Sequence, residues 1–171
     1  TIKPHTRRVY DAMRARGILI NQHSCGKIES VFADMVEMGA DIWNPCQPCN
    51  DLARMKQEHT GRIAFCGGID SQFVLDRPGV TTEEVRAEVR RRIDEMADGG
   101  GYVAAPSHGV PYEPEIVAAM TDEIATYGRR FYQATGDPSA LNNIGNAFYQ
   151  RELWEEAIET YREAHLAFEA E

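Results

Sequence analysis

Arg62-Ile63-Ala64-Phe65-Cys66-Gly67-Gly68-Ile69-Asp70 is the stretch that decides the fold. Its first five residues form a short, largely apolar run of the kind that becomes a buried strand. Gly67-Gly68-Ile69-Asp70 ends that strand. Thr82 caps a helix that continues to Met96. Gly99-Gly100-Gly101 breaks the helix, and Tyr102-Val103-Ala104-Ala105 is the next strand, delivering Pro106-Ser107-His108-Gly109 at its end. Strand, helix and strand in this order imply parallel pairing through a right-handed crossover.

The same unit recurs upstream. Arg7 to Arg16 read as the end of a helix, stopped by Gly17. Ile18-Leu19-Ile20 reads as a buried strand that delivers His23-Ser24-Cys25-Gly26. Ile28, Val31, Phe32, Met35 and Val36 then recur at helical spacing up to Met38, and Gly39 caps that helix. Asp41-Ile42-Trp43-Asn44 is a strand ended by Pro45, and a helix follows from Asp51 to His59. Downstream, a helix spans Glu113 to Tyr132.

Four such units predict an α/β protein with a parallel sheet, as part of a (β/α)8 barrel or a doubly wound sheet. A complete barrel takes about 250 residues, so a chain of 171 holds about half of one. This portion is assigned to residues 1–134.

Beyond Thr135 the pattern changes. Gly136-Asp137-Pro138 is a linker and helix-start signal. Two helices follow, Ser139 to Gln150 and Trp154 to Phe168, making residues 137–171 an all-α hairpin. Ile144, Gly145, Phe148, Ala157, Tyr161 and Ala164 match the tetratricopeptide pattern for one repeat. A plain helical hairpin packed on the barrel is the alternative.

Composition narrows the function. Net charge is −9, which argues against nucleic acid as a partner. From Ala140 to Glu171 seven Glu stand against Arg151 and Arg162, the signature of a solvated helical face. No apolar run approaches the roughly 20 residues needed to span a bilayer. The start at Thr1 is neither signal peptide nor initiator methionine, which reads as a fragment or processed product, with the cytoplasm as the default location. Cys25, Cys46, Cys49 and Cys66 are then expected as thiols, metal ligands or packing residues rather than disulfides.

In parallel α/β barrels chemistry gathers where strands end at the C-terminal face. That rule selects His23 and Cys25, Asn44 to Cys49, Cys66 to Asp70, and Ser107-His108. A thiolate and an imidazole two residues apart can reach one zinc ion. A catalytic zinc takes a third protein ligand, which His108 can supply. His108 can equally move a proton near neutral pH, or be a histidine hydrogen-bonded at a strand end. Gly67 and Gly68 let backbone approach a ligand closely. Asp70 can orient that ligand or cap the next helix at Gln72. Cys46-Gln47-Pro48-Cys49 is a C-x-x-C, read as a loop turned by Pro48 in preference to a redox or metal pair.

Taken together, these segments resemble the uroporphyrinogen decarboxylase and corrinoid methyltransferase superfamily. The resemblance rests on His-Ser-Cys-Gly at 23–26, Gly-Ala-Asp-Ile-Trp-Asn-Pro at 39–45, and Phe-Cys-Gly-Gly-Ile-Asp at 65–70. It continues through Thr-Thr-Glu-Glu-Val at 81–85 and Gly-Gly-Gly-Tyr-Val-Ala-Ala-Pro-Ser-His at 99–108. It covers about Gly17 to Phe131 and implies the C-terminal portion of a (β/α)8 barrel with its site in the mouth.

One branch of that superfamily decarboxylates the acetate arms of uroporphyrinogen without a cofactor. The other moves methyl groups to or from corrinoid proteins, with zinc held by an H-x-C pair and a later cysteine. His23 and Cys25 match the pair, and His108 stands where that cysteine is expected. In decarboxylases a histidine of a similar Gly-His-Gly segment contacts substrate, and an arginine and aspartate clamp lies in the N-terminal half.

The resemblance thus implies an enzyme. The leading expectation is zinc-assisted methyl transfer, with zinc on His23, Cys25 and His108, and methylcobalamin carried by a corrinoid protein. His108 is the expected catalytic residue, and Gly67, Gly68 and Asp70 the substrate-binding ones. The expected partner is the corrinoid protein or the missing N-terminal half of the barrel. A porphyrinogen carboxy-lyase and a non-catalytic binding module are the alternatives.

Overall fold

A computed structural model describes residues 2–109 and 112–170. Four parallel strands form one sheet in the order β1 (Asn21–His23), β2 (Ile42–Cys46), β3 (Ala64–Ile69) and β4 (Tyr102–Pro106). Helices α1 (Lys3–Arg14), α2 (Glu29–Met38), α3 (Leu52–His59), α4 (Thr82–Met96) and α5 (Pro114–Thr135) flank them. The hairpin is α6 (Ser139–Gln150) and α7 (Trp154–Glu169). Strand order following chain order is the winding of a (β/α)8 barrel, and this is a portion of one.

Register separates the two faces of the sheet. Trp43, Phe65 and Tyr102 pair across β2, β3 and β4, so they share the face toward the helices. There Phe32 of α2 meets the rings of Trp43 and Phe65 at centroid distances of 5.0 and 5.5 Å. Fully burying each such ring contributes about 1.5–3 kcal/mol. The opposite face carries Asn21, His23, Ile42, Asn44, Ala64, Cys66 and Val103, which are exposed or half-buried. In a closed barrel that face is the filled interior.

Several expected boundaries shift. Ile18-Leu19-Ile20 is not the first strand. Ile18 and Leu19 are exposed and only Ile20 is buried. The Ile20 carbonyl accepts from the N–H groups of Asp41 and Ile42, and regular pairing begins at Asn21. The two apolar residues instead lie on the surface, where Ile18 shares a shallow hollow with Val9 and Met13 of α1.

Pro45 does not end β2, which runs on to Cys46 through a register irregularity. Thr81 rather than Thr82 caps α4, in a reciprocal box with Glu84. The strand expected at 62–66 runs over 64–69, so Gly67 and Gly68 lie inside it.

The hairpin helices fall where expected, α7 ending one residue later. Leu141, Ile144 and Ala164 are buried in a second, smaller core. A Cβ on Gly145 would stand 2.6 Å from the Tyr161 ring, so the helices cross this closely only with glycine there. No helix among the described residues is long and apolar enough to cross a membrane.

Candidate functional site

The loops after β1 and β2 are latched together. Asn50, buried, donates through Nδ2 to the carbonyls of Gly26 and Gln47, each at 2.9 Å, and accepts at Oδ1 from the Ile28 N–H at 2.8 Å. The Gln47 side chain also accepts from the Gly26 N–H. These bonds hold the His23–Gly26 turn against the Cys46–Cys49 loop. On that turn His23 Nε2 lies 3.1 Å from Cys25 Sγ, and both residues are exposed.

The loops after β3 and β4 are joined by a second network. Ser71 donates its backbone N–H to Ser107 Oγ and its hydroxyl to the His108 carbonyl, both at 3.1 Å. The His108 N–H donates back to Ser71 Oγ at 3.1 Å. The Tyr112 hydroxyl lies 2.7 Å from Ser71 Oγ and 2.6 Å from the His108 carbonyl oxygen. The backbone of His108 is therefore clamped. Its imidazole makes no hydrogen bond among the described residues.

Asp70 caps the π-helical turn Ser71–Leu75, with Oδ1 accepting from Gln72 and Phe73 at 3.0 and 2.9 Å. This is the capping role expected as one alternative. The N–H of Asp70 donates to Glu88 Oε1 at 3.1 Å, and the same oxygen accepts from Arg92 Nε at 2.9 Å. A buried ion pair on α4 thus holds the end of β3.

Between the two networks lies a cleft of about 250 Å³ lined by Gly26, Gln47, Cys49, Asp70, Phe73, Ser107 and His108. It sits at the C-terminal ends of the strands, the place where this architecture keeps its chemistry. A larger hollow of about 660 Å³, lined by Gly99, Gly100, Phe131 and Asp137, lies at the opposite ends of the strands. We assign the site to the smaller cleft on that positional argument.

His23, Cys25 and His108 do not form a three-ligand set. Among the described residues no three His, Cys, Asp or Glu side chains are grouped to hold a metal ion. His23 and Cys25 are close to each other, while His108 belongs to the cleft wall with Asp70. Among the described residues the grouped donors fall short of the three protein ligands a catalytic zinc takes.

Gly67 and Gly68 are buried, and protein occupies the space their side chains leave. A Cβ on Gly67 would meet the Cys46 backbone nitrogen at 2.7 Å, and one on Gly68 the Tyr102 hydroxyl at 3.0 Å. That hydroxyl donates to the Gly67 carbonyl at 2.9 Å.

All four cysteines are free thiols. Cys46 is buried and Cys49 exposed, so the C-x-x-C is split between core and surface. Burial pushes the Cys46 thiol well up, and the neighbouring Cys66 adds to it. Burial also raises the Cys66 thiol, opposed by the Asn44 amide that donates to its sulfur at 3.2 Å. Neither is poised as a thiolate nucleophile.

Sequence reasoning did not single out Asn50, Ser71 or Tyr112. Each acts through a partner distant in sequence, and the only local signal was polar type beside a strand end.

The uroporphyrinogen decarboxylase (URO-D) family profile matches residues 1–127. A uroporphyrinogen decarboxylase of Ralstonia pickettii (strain 12J) is 31% identical over 100 residues, which are 56% of this chain and 26% of that protein. One of Burkholderia thailandensis is 26% identical over 132 residues, 76% of this chain and 34% of that protein. One of Burkholderia pseudomallei (strain K96243) matches to the same extent. The chain thus spans between a quarter and about a third of these relatives' length. With strand order, cleft position and profile in agreement, the chain belongs to the uroporphyrinogen decarboxylase family.

Proposed function

We propose that the chain contributes one wall of the site of a cofactor-independent carboxy-lyase acting on a porphyrinogen-type polycarboxylate. The carrying observation is His108, held by its backbone through Ser71 and Tyr112, with its imidazole at a strand-end cleft beside Asp70. The names of the relatives support this reading. In such a reaction the bond from an acetate methylene to its carboxylate breaks. Carbon dioxide leaves, and a proton takes its place on the methylene carbon. An imidazole there can hydrogen-bond a substrate carboxylate or carry that proton near neutral pH.

The test is decarboxylation of uroporphyrinogen by the full-length protein, beside a His108→Ala variant. Carbon dioxide release that His108→Ala lowers by about 100-fold or more supports the reading. Release at equal rates removes His108 from the chemistry, and no release from the wild type rejects the substrate class.

Zinc-assisted methyl transfer with a corrinoid protein is the second reading, favoured by the His23–Cys25 contact alone. It requires a third donor from outside the described residues. Stoichiometric zinc in the full-length protein, lost in both His23→Ala and Cys25→Ala, supports it. Metal-free protein turns the choice to the carboxy-lyase. The single helical hairpin is compatible with a tetratricopeptide repeat that docks a partner.

A further inference from the structure

Phe73 stands on the wall of the strand-end cleft and is 69% exposed. Around it the cleft is largely polar, with Asp70, Gln72, Ser107 and His108 from the loops after β3 and β4 and Pro48 from the loop after β2. The turn itself holds the ring out. Val74 packs on the core and Leu75 is buried in it, while Gln72 and Phe73 face outward. Ligand sites combine apolar and aromatic contact with a few placed polar groups. Phe73 supplies the aromatic part here.

Hydrogen bonds fix the position of that ring. Asp70 Oδ1 accepts from the Phe73 N–H at 2.9 Å. The Leu75 N–H donates to the Asp70 carbonyl at 3.0 Å, and the Asp76 N–H to the Ser71 carbonyl at 2.9 Å. Both of these bonds close over five residues, a winding that is rare and recurs at functional sites. Ser71, which begins the turn, is also bonded to the His108 backbone and to the Tyr112 hydroxyl. Phe73 and His108 therefore belong to one hydrogen-bonded body. Ring and imidazole are set relative to each other before a ligand arrives, which lowers the cost of binding.

We propose that Phe73 is a specificity-determining contact of this site, packing on a pyrrole ring of the substrate while His108 faces the acetate arm of that ring. The proposal rests on the carboxy-lyase reading and adds the residue that recognises the ring rather than the charges. The pyrroles of a porphyrinogen are flat and aromatic. Covering the exposed Phe73 ring with one of them removes apolar surface from water, and aromatic pairing adds to this. A polycarboxylate without a ring gains only from the polar walls. The contact is made in the ground state as in the transition state, so it acts on binding and leaves the chemical step to His108.

The test uses the full-length protein, with uroporphyrinogen as substrate and its oxidised form, uroporphyrin, as the binding probe in equilibrium dialysis. Phe73→Ala is compared with Phe73→Tyr and with Phe168→Ala, which alters an exposed phenylalanine of the hairpin. Phe73→Ala is expected to raise KM and weaken uroporphyrin binding by about tenfold or more, the scale of one buried aromatic ring. Its kcat should stay within about threefold of wild type, and its midpoint in urea should not move. Phe73→Tyr, which keeps the ring, and Phe168→Ala should match the wild type. Wild-type KM and binding in Phe73→Ala overturn the proposal and leave the carboxy-lyase reading in place. A loss of kcat with KM unchanged, or a Phe73→Ala chain that does not fold, overturns it equally, because the ring would then serve the chemistry or the fold. A wild type that neither binds uroporphyrin nor decarboxylates uroporphyrinogen rejects the reading itself, and the proposal falls with it.

Discussion

His23 Nε2 and Cys25 Sγ lie 3.1 Å apart on a turn where both residues face solvent. The turn owes its shape to Asn50, which binds it to the neighbouring loop. Among the described residues the pair is a contact between two strong metal donors with no third grouped beside them. Its first measurable consequence is thiol reactivity. Iodoacetamide should label Cys25 and Cys49 first, Cys66 more slowly, and Cys46 only on unfolding, following their exposure. His23→Ala should change the rate at Cys25 and leave Cys49 unaltered. Peptide mass spectrometry over a time course checks both, and early labelling of Cys46 would contradict the burial order.

Cys66 carries a pH signature. Burial raises its thiol, and the Asn44 amide bond works against that rise. Asn44→Leu removes the opposing contact, so labelling of Cys66 should require more alkaline solution than in the wild type. A shift toward acid would show that the amide does not stabilise the thiolate.

Gly67→Ala should be costly. Its φ of +124° lies in the left-handed range, and the new Cβ would meet the Cys46 backbone at 2.7 Å. Strain and clash together should cost about 1–3 kcal/mol or more. Gly26→Ala, also at positive φ but with nothing within 4 Å, should lose only the smaller conformational part. Urea denaturation of the two variants measures the difference, and equal losses would deny the clash.

The acid limb of stability should report on the start of α4. The Glu84 carboxyl is held down to about 2, first by the Thr81 backbone N–H, then by the Arg77 and Thr81 side chains. A depressed carboxyl stabilises the fold fully above its ordinary value near 4.5 and loses that contribution as pH falls toward 2. Glu84→Gln should therefore be less stable than wild type at neutral pH, and the gap should close between those two values. A gap independent of pH would refute the assignment.

Glu88 and Arg92 have side chains only 4% and 5% exposed. Glu88→Ala strands both the guanidinium and the Asp70 N–H, although Glu95 remains beside Arg92. The loss should be about 3 kcal/mol. Glu88→Gln should lose less, because its amide oxygen can still accept from Asp70. Thermal unfolding of both variants tests this order, and a reversed order would remove Asp70 from the account.

Periodicity and punctuation by themselves determined that this chain alternates strands and helices, that the strands are parallel, and that a helical hairpin follows. Those signals are local, since apolar spacing, Gly39, Asp51 and the Gly99–Gly101 break all act within a few residues. The family was also legible, because its motifs lie at strand ends in a set order. Tertiary structure decided which of these residues meet. It drew His108 to Ser71 and Tyr112, away from a joint site with His23 and Cys25, and filled the space above Gly67 and Gly68 with Cys46 and Tyr102. It also bonded the Asn143 side chain to the backbone of β4. A hydrogen bond across 39 residues leaves no trace in local spacing. It depends on which faces pack together, and that is settled only when the whole core closes.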